Sequence, residues 1–371
     1  MTKFAFLVAF LSFAGSLVGN TVDVYFGTSG RETKGIYAAK FDLETGKLTK
    51  ATLAAEIGRP GFLTFHPDRK TLYAVGSLNG EACVAAYRVE RNGGLSFLNT
   101  VAIGDGGGAH LAVHPSGKFL LTAQYGGGSV ALFSLKDDGS LKKREALVEH
   151  EGGSGVVARR QAKPHPHWTG YSPDGRFAFV PDLGMDKVVV YRVNEDGPSI
   201  ETHGYGETVP GGGPRHMRFS IDGKFVYLLN ELSLSVTTFA YDAAKGTMER
   251  LTTTQALSDE VKGEETFNSS SEILTHPNGR FVYSANRGDD SVTAYKANPG
   301  TGKLEVIEVE AVRGAFPRNI DLDAKGQWLL AAGQDSNTIC TYSIDQDTGE
   351  LTYVQKSVIN VPGPICILLN D

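Results

Sequence analysis

Six times along its length the chain repeats one order of residues: an apolar run, a His-Pro or related pair, a polar residue with Gly and a Lys or Arg, and a second apolar run. Copies include AHLAVHPSGKFLLTAQY, PHWTGYSPDGRFAFVPDL, RHMRFSIDGKFVYLLNE and EILTHPNGRFVYSANR. The proline position falls at Pro67, Pro115, Pro173, Ile221, Pro277 and Ala324, so successive copies lie 48, 58, 48, 56 and 47 residues apart. A unit of this length cannot bury its apolar face alone and is stable only when stacked on its neighbours. Four short strands fill each interval, as in a β-propeller blade.

The turn in each copy has a mechanism. Proline presets φ, Asp or Asn bonds its own backbone, and glycine accepts positive φ, so each mark is a tight hairpin between strands one and two. The 45 glycines of the chain agree with many such turns. A third strand follows each hairpin, as in SVALFSL, KVVVYRV and SVTAYKA, and is rich in β-branched and aromatic residues. A poorer fourth strand is expected at the outer edge. The ends supply a seventh unit. Pro362–Leu369 has the pattern of a first strand with nothing after it, and Val22–Ser29 that of a second strand with IYAAKFD as its third. The predicted fold is all-β: a seven-bladed β-propeller closed by N- and C-terminal strands in one blade. It spans residues 21–371 without a linker, and Gly152–Lys163 is read as a loop between blades.

Residues 1–20 differ. Lys3, an apolar run from Phe4 to Phe13 and the small residues Ala14-Gly15-Ser16 form an export-signal pattern, too short for a membrane span. The expected location is periplasmic or extracellular, with the cytoplasm the alternative. A net charge of −6 argues against a nucleic-acid or anionic-membrane partner. Cys83, Cys340 and Cys366 form neither a disulfide framework nor a zinc pattern; they are expected as buried thiols, with a Cys340–Cys366 bond open to an exported chain.

The repeat also fixes where polar residues fall. Six residues before each mark stand Gly61, Ala109, His167, Arg215, Ser271 and Arg318, and next to them Phe62, His110, Trp168, His216, Glu272 and Asn319. Ten residues after the marks stand Ser77, Tyr125, Leu183, Glu231, Arg287 and Gln334. Strands one and two are antiparallel, so all these positions crowd around one mouth of the channel. Arg215, Arg287, Arg318, His110, His167, His216 and Glu231 converge there with Tyr125, Asn286 and Gln334, a candidate small-molecule site. His165 and His167 would share a face of a strand, but no carboxylate or Cys at a fixed spacing completes a metal set, so no metal and no cofactor is expected. The motifs G-x-S-x-G, HExxH, P-loop and CxxC are absent from the sequence.

The segments KPHPHWTGYSPDGRFAFVPDLGMDKV, GPRHM, NELSLSV, HPNGRFVYSANRGDDSV and FPRNIDLDAKGQWLLAAGQ resemble the lactonase family of seven-bladed propellers. That family includes propeller-type 6-phosphogluconolactonases and fungal carboxy-cis,cis-muconate cyclases. The resemblance covers Val22 to Leu369. It implies an active site of His167, Arg215, Glu231 and Arg287, with His216 and Gln334 in matching motifs. The implied reaction is hydrolysis of a sugar lactone, above all 6-phospho-D-glucono-1,5-lactone. His167 or Glu231 would be the base, and Arg215 with Arg287 would hold the oxyanion or an anionic group. The alternatives are a muconate-type lactonising cyclase and a non-catalytic binding propeller. The export pattern fits an unphosphorylated lactone better than a cytosolic phosphorylated one.

Overall fold

The computed structural model describes residues 21–30, 32–264 and 267–371; the export-signal pattern lies outside them. Seven antiparallel sheets follow one another. Blades two to seven begin with the strands Gly58–Phe65, His110–Val113, Gly170–Tyr171, Pro214–Phe219, Ser269–Thr275 and Pro317–Leu322. Blade one takes its second and third strands from Thr21–Thr28 and Gly35–Asp42 and its innermost from Pro364–Asn370. The end-joined blade is therefore as expected, and Gly152–Lys163 is free of strands.

The hairpins show why the repeat is conserved within the chain. The N–H of Gly117, Gly175, Gly223, Gly279 and Gly326 returns to the carbonyl three residues back at 2.8–2.9 Å. Each of these glycines is left-handed, with φ from +67° to +75°. Arg69 occupies the same place at φ +58°. Its guanidinium donates to the Leu369 carbonyl at 2.7 Å and Asn370 Oδ1 at 3.0 Å, which ties blade two to the closing strand.

The histidine of the His-Pro pair links blades. Nε2 of His66, His114 and His276 lies 3.1, 3.0 and 2.8 Å from the carbonyl of Gly117, Gly175 and Gly326 in the next blade. A carbonyl can only accept, so Nε2 carries the hydrogen in each; Nδ1 of His114 and His276 accepts the N–H two residues on, whereas that of His66 lies 2.8 Å from Asp68 Oδ1. Tyr25, Tyr73 and Tyr283 similarly donate to Gly93, Gly139 and Gly349 in the outer turn of a neighbouring blade. The apolar core fills the spaces between sheets. Cys340 packs among Phe281, Tyr283 and Leu329, whereas Cys83 and Cys366 pack with Tyr25 and Leu63. All three thiols are free, so the Cys340–Cys366 bond is not formed.

A bulge at the start of the inner strands positions the site. Pro214 pairs with Asn230 but His216 with Leu229, which leaves Arg215 as an extra residue. Arg318 is extra between Pro317 and Asn319, and Ile365 between Pro364 and Cys366. A regular strand turns consecutive side chains to opposite faces; a bulge re-aims one of them. Arg215 and His216 can therefore both face the channel.

Candidate active site

A cavity of about 430 Å³ occupies the mouth where the inner strands begin. One side is built from small residues, Gly61, Gly107, Gly108 and Ala109, which leave the space open. His167, Arg215, His216 and Arg318 line the same cavity, and Arg59 borders it. Phe62, His110, Trp168 and His216 pack as a floor, with ring centroids 4.0 Å apart for Phe62–His110, 5.3 Å for His110–Trp168 and 5.4 Å for His110–His216.

Glu231 is buried beside the cavity and is held by guanidiniums. Arg160 Nη2 lies 2.6 Å from Oε1, while Arg215 Nε and Arg287 Nη2 lie 3.0 and 3.3 Å from Oε2. His167 Nε2 is 4.0 Å from Oε2, too far for a hydrogen bond. Burial alone would raise the Glu231 carboxyl, but the guanidiniums of Arg287, Arg215 and Arg160 outweigh it and hold the group well below the usual carboxylate range. An anion so stabilised is a weak base. This counts against Glu231 in the proton-abstracting role that the sequence left open to it.

The cations feel the reverse. Burial, then Arg287 and Arg318, bring Arg215 down to about 9 against the pull of Glu231. Burial and Arg287 bring Arg318 down to about 10. Both stay charged at pH 7. With Glu231 holding its Nε, Arg215 keeps Nη1 buried and without a partner among the described residues. His167 is pushed well below the ordinary imidazole value by burial, Arg215 and His216. His216 is lowered by burial, Arg215 and Arg218. Both rings are neutral at pH 7.

The other expected residues divide. The Tyr125 hydroxyl accepts from Arg160 at 3.2 Å, and its ring meets His167 edge-on at 5.2 Å. His165 stacks on Tyr125 at 4.4 Å and gives Nδ1–H to the Tyr125 carbonyl at 2.7 Å. It orients Tyr125 rather than pairing with His167. Among the described residues no group of three His, Cys, Asp or Glu gathers that could hold a metal. His110 lies in the floor, bordering the deeper half of the channel, with Nδ1 accepting the Thr169 N–H at 3.3 Å. Gln334 borders a separate, shallower cleft with Ser29 and Asn337. Asn286 turns into its own blade, where its amide donates to Ser291 and Thr293 at 3.0 and 2.9 Å. Neither lines the cavity: Asn286 is adjacent in its strand to Arg287 and faces the opposite way, and Gln334 lies past the end of the strand Trp328–Gly333.

One residue goes unread in the sequence and a second is read without a role. Arg160 has no repeat position, since it lies on the long loop before blade four; only the charged pair Arg159-Arg160 in a glycine-rich stretch marks it. Glu272 is visible in the register but without an evident role. In the structure it receives His216 Nδ1 at 2.9 Å, Arg218 Nη2 at 3.1 Å and Asn319 Nδ2 at 2.7 Å.

Fold and site together define a closed β-propeller whose mouth cavity gathers cations and neutral imidazoles. The family of this description is the one that matches: the Lactonase, 7-bladed beta-propeller family spans residues 23–369, and the chain belongs to it. It is 34% identical over 348 residues to the 6-phosphogluconolactonase of Bacillus subtilis, covering 92% of this chain and 97% of that one. The 6-phosphogluconolactonase of Formosa agariphila is 32% identical over 352 residues, with 92% and 96% covered. The structure of Pseudomonas aeruginosa periplasmic gluconolactonase superposes with a TM-score of 0.86 at 29% identity, over 94% of this chain and 99% of that one. The chain is a lactonase, a hydrolase of small-molecule lactones.

Proposed function

We propose that the substrate is 6-phospho-D-glucono-1,5-lactone, opened by water to 6-phosphogluconate. The observation that carries this reading is the charge count at the mouth. Arg160, Arg215 and Arg287 surround the single carboxylate Glu231, while Arg318 and Arg59 border the cavity with no carboxylate on either among the described residues. Such a surplus suits a substrate that enters as an anion and develops a second negative charge on its carbonyl oxygen. Two relatives named for the phosphorylated substrate support it.

The chemistry follows from the residues at the cavity wall. A neutral imidazole of the pair His167 and His216 takes a proton from water, and the hydroxide adds to the lactone carbonyl. Arg215, with its free Nη1, stabilises the tetrahedral oxyanion. Arg287 acts from behind: it shares Glu231, donates to the Ser270 carbonyl at 3.0 Å and lies over the Phe316 ring. Glu231 fixes these guanidiniums. No nucleophilic side chain is required, so no covalent intermediate forms. A second reading, an unphosphorylated gluconolactone met outside the cytoplasm, is favoured by the gluconolactonase neighbour and by the pattern of residues 1–20.

Background-corrected hydrolysis of the two lactones decides between them. The proposal expects kcat/KM to be at least about tenfold higher for the phosphorylated lactone, the worth of one charge-assisted contact of about 1.5–3 kcal/mol. An equal or greater rate on gluconolactone overturns it in favour of the second reading.

A further inference from the structure

The two cavity imidazoles are not equivalent. Among the described residues nothing fixes the tautomer of His167: its Nδ1 is buried without a partner and its Nε2 stops 4.0 Å short of Glu231. His216 is held by a chain of hydrogen bonds. Its Nδ1 meets Glu272 Oε1 at 2.9 Å, and Asn319 Nδ2 donates to Glu272 Oε2 at 2.7 Å. Asn319 Oδ1 in turn accepts the Ile367 N–H of the closing strand at 2.7 Å. The Ile273 N–H at 3.0 Å and Arg218 Nη2 at 3.1 Å complete the shell of Glu272. Every other partner of Glu272 is an obligate donor, so the carboxylate accepts throughout and His216 Nδ1 bears the hydrogen. The lone pair of the neutral ring is then on Nε2, which is buried and, among the described residues, without a partner, in a residue that lines the cavity.

On the reading that this cavity opens a lactone, we infer that His216 is the catalytic base and that Glu272 and Asn319 are its positioning residues. Nε2 takes a proton from water as the oxygen bonds to the lactone carbonyl carbon, and the carbonyl π pair moves onto oxygen beside Arg215. The pair returns, the ring C–O bond breaks, and the same Nε2–H protonates the departing ring oxygen. The product acid releases one proton to solvent, so the enzyme is unchanged. An imidazole with a carboxylate behind it can serve as base and then acid, since the carboxylate holds the tautomer and stabilises the transient imidazolium. Arg215 is the neighbour of His216 in the bulge, so the donor for the oxyanion and the base are placed by one irregularity of the strand. His167, which shares the cavity, is left to position the substrate.

The groups facing His216 are the cations Arg215, Arg218, Arg287 and Arg318, the rings His110 and His167, and the carboxylate Glu272. The cations and burial oppose its protonation, so the acid limb of kcat should lie below the ordinary imidazole range. The test uses the full chain, with kcat and KM for 6-phosphogluconolactone corrected for spontaneous opening. His216→Gln is expected to lower kcat by roughly 10²–10⁴ with KM little changed, whereas His167→Gln should act mainly on KM. Glu272→Gln sets an amide N–H₂ against a donor; it should lower kcat at least about tenfold and move the acid limb to lower pH, because an anion that favoured the imidazolium is gone. A role in folding alone would leave that limb in place. On the unsubstituted protein, ¹⁵N NMR of the histidines should show His216 neutral with hydrogen on Nδ1. The inference is overturned if His216→Gln keeps its kcat, or if the hydrogen is on Nε2; the NMR result decides should the variant fail to fold. An unsubstituted protein that opens neither lactone faster than water overturns the lactone reading and this assignment together.

Discussion

Glu231 is a carboxylate committed to structure as much as to chemistry. Removing its charge leaves Arg160, Arg215 and Arg287 packed together without a counter-ion, and breaking a buried pair of this kind costs about 3–5 kcal/mol. Its folded pKa is depressed, so the stability it confers is fully present above the unfolded carboxylate value and is lost as pH falls toward the folded one. Glu231→Gln is therefore expected to lower the melting temperature at pH 7, by an amount that shrinks below roughly pH 4. A deficit that stays constant with pH would contradict the ion-network account. Arg160 is a third exposed, so Arg160→Ala should cost far less stability. Residue types and repeat position suffice to find His167, Arg215, His216 and Arg318 in the sequence. They fail for Arg160, which only tertiary contact brings to Glu231, and for Asn286, whose orientation depends on strand parity.

The hairpins and inner strands are where local sequence speaks most clearly. Proline, Asp or Asn and glycine each carry out a backbone task that is legible without a structure. Less legible is that the hairpin also ties blades together. A Cβ on Gly175 would stand 2.7 Å from Nε2 of His114, and the backbone there is at φ +75°. Gly175→Ala should thus destabilise the ring by about 1–3 kcal/mol, seen as a lower melting temperature. Gly197→Ala is the control, because nothing lies within 4 Å of its Cβ position and its φ is not in the left-handed region. Equal melting temperatures for the two would mean that the interblade histidine contact adds nothing. The bulges were hidden for a different reason. Period-two alternation places Arg215 and His216 on opposite faces, and the extra residue that reconciles them appears only when the partner strand is in register.

The molecule as a whole depends on its ends. Pro364–Asn370 supplies the inner strand of blade one, with Cys366, Ile367 and Leu369 buried, and Arg69, Asn319 and Asp321 grip its backbone. Ending the chain before Pro362 removes the buried Ile367 and Leu369, worth about 1.5–3 kcal/mol each, together with Cys366, and opens the ring. The truncated protein should lose its cooperative melting transition; an unchanged melting temperature would show that the ring does not need this closure. The number of blades and the closing strand were readable because every copy carries the same turn, while the cavity was not, since it depends on how the small residues Gly61, Gly107 and Ala109 come together in space. The central claim is that the cation-lined mouth is where a lactone is opened. The direct measurement is the background-corrected kcat/KM for 6-phosphogluconolactone of the full chain and of Arg215→Lys, at matched melting temperature. A lysine has one nitrogen and cannot hold Glu231 and the oxyanion as Nε and Nη1 of Arg215 do, so the value should fall by roughly 10²–10³. A variant that folds and opens the lactone as fast as the unsubstituted chain would place the reaction elsewhere on the molecule.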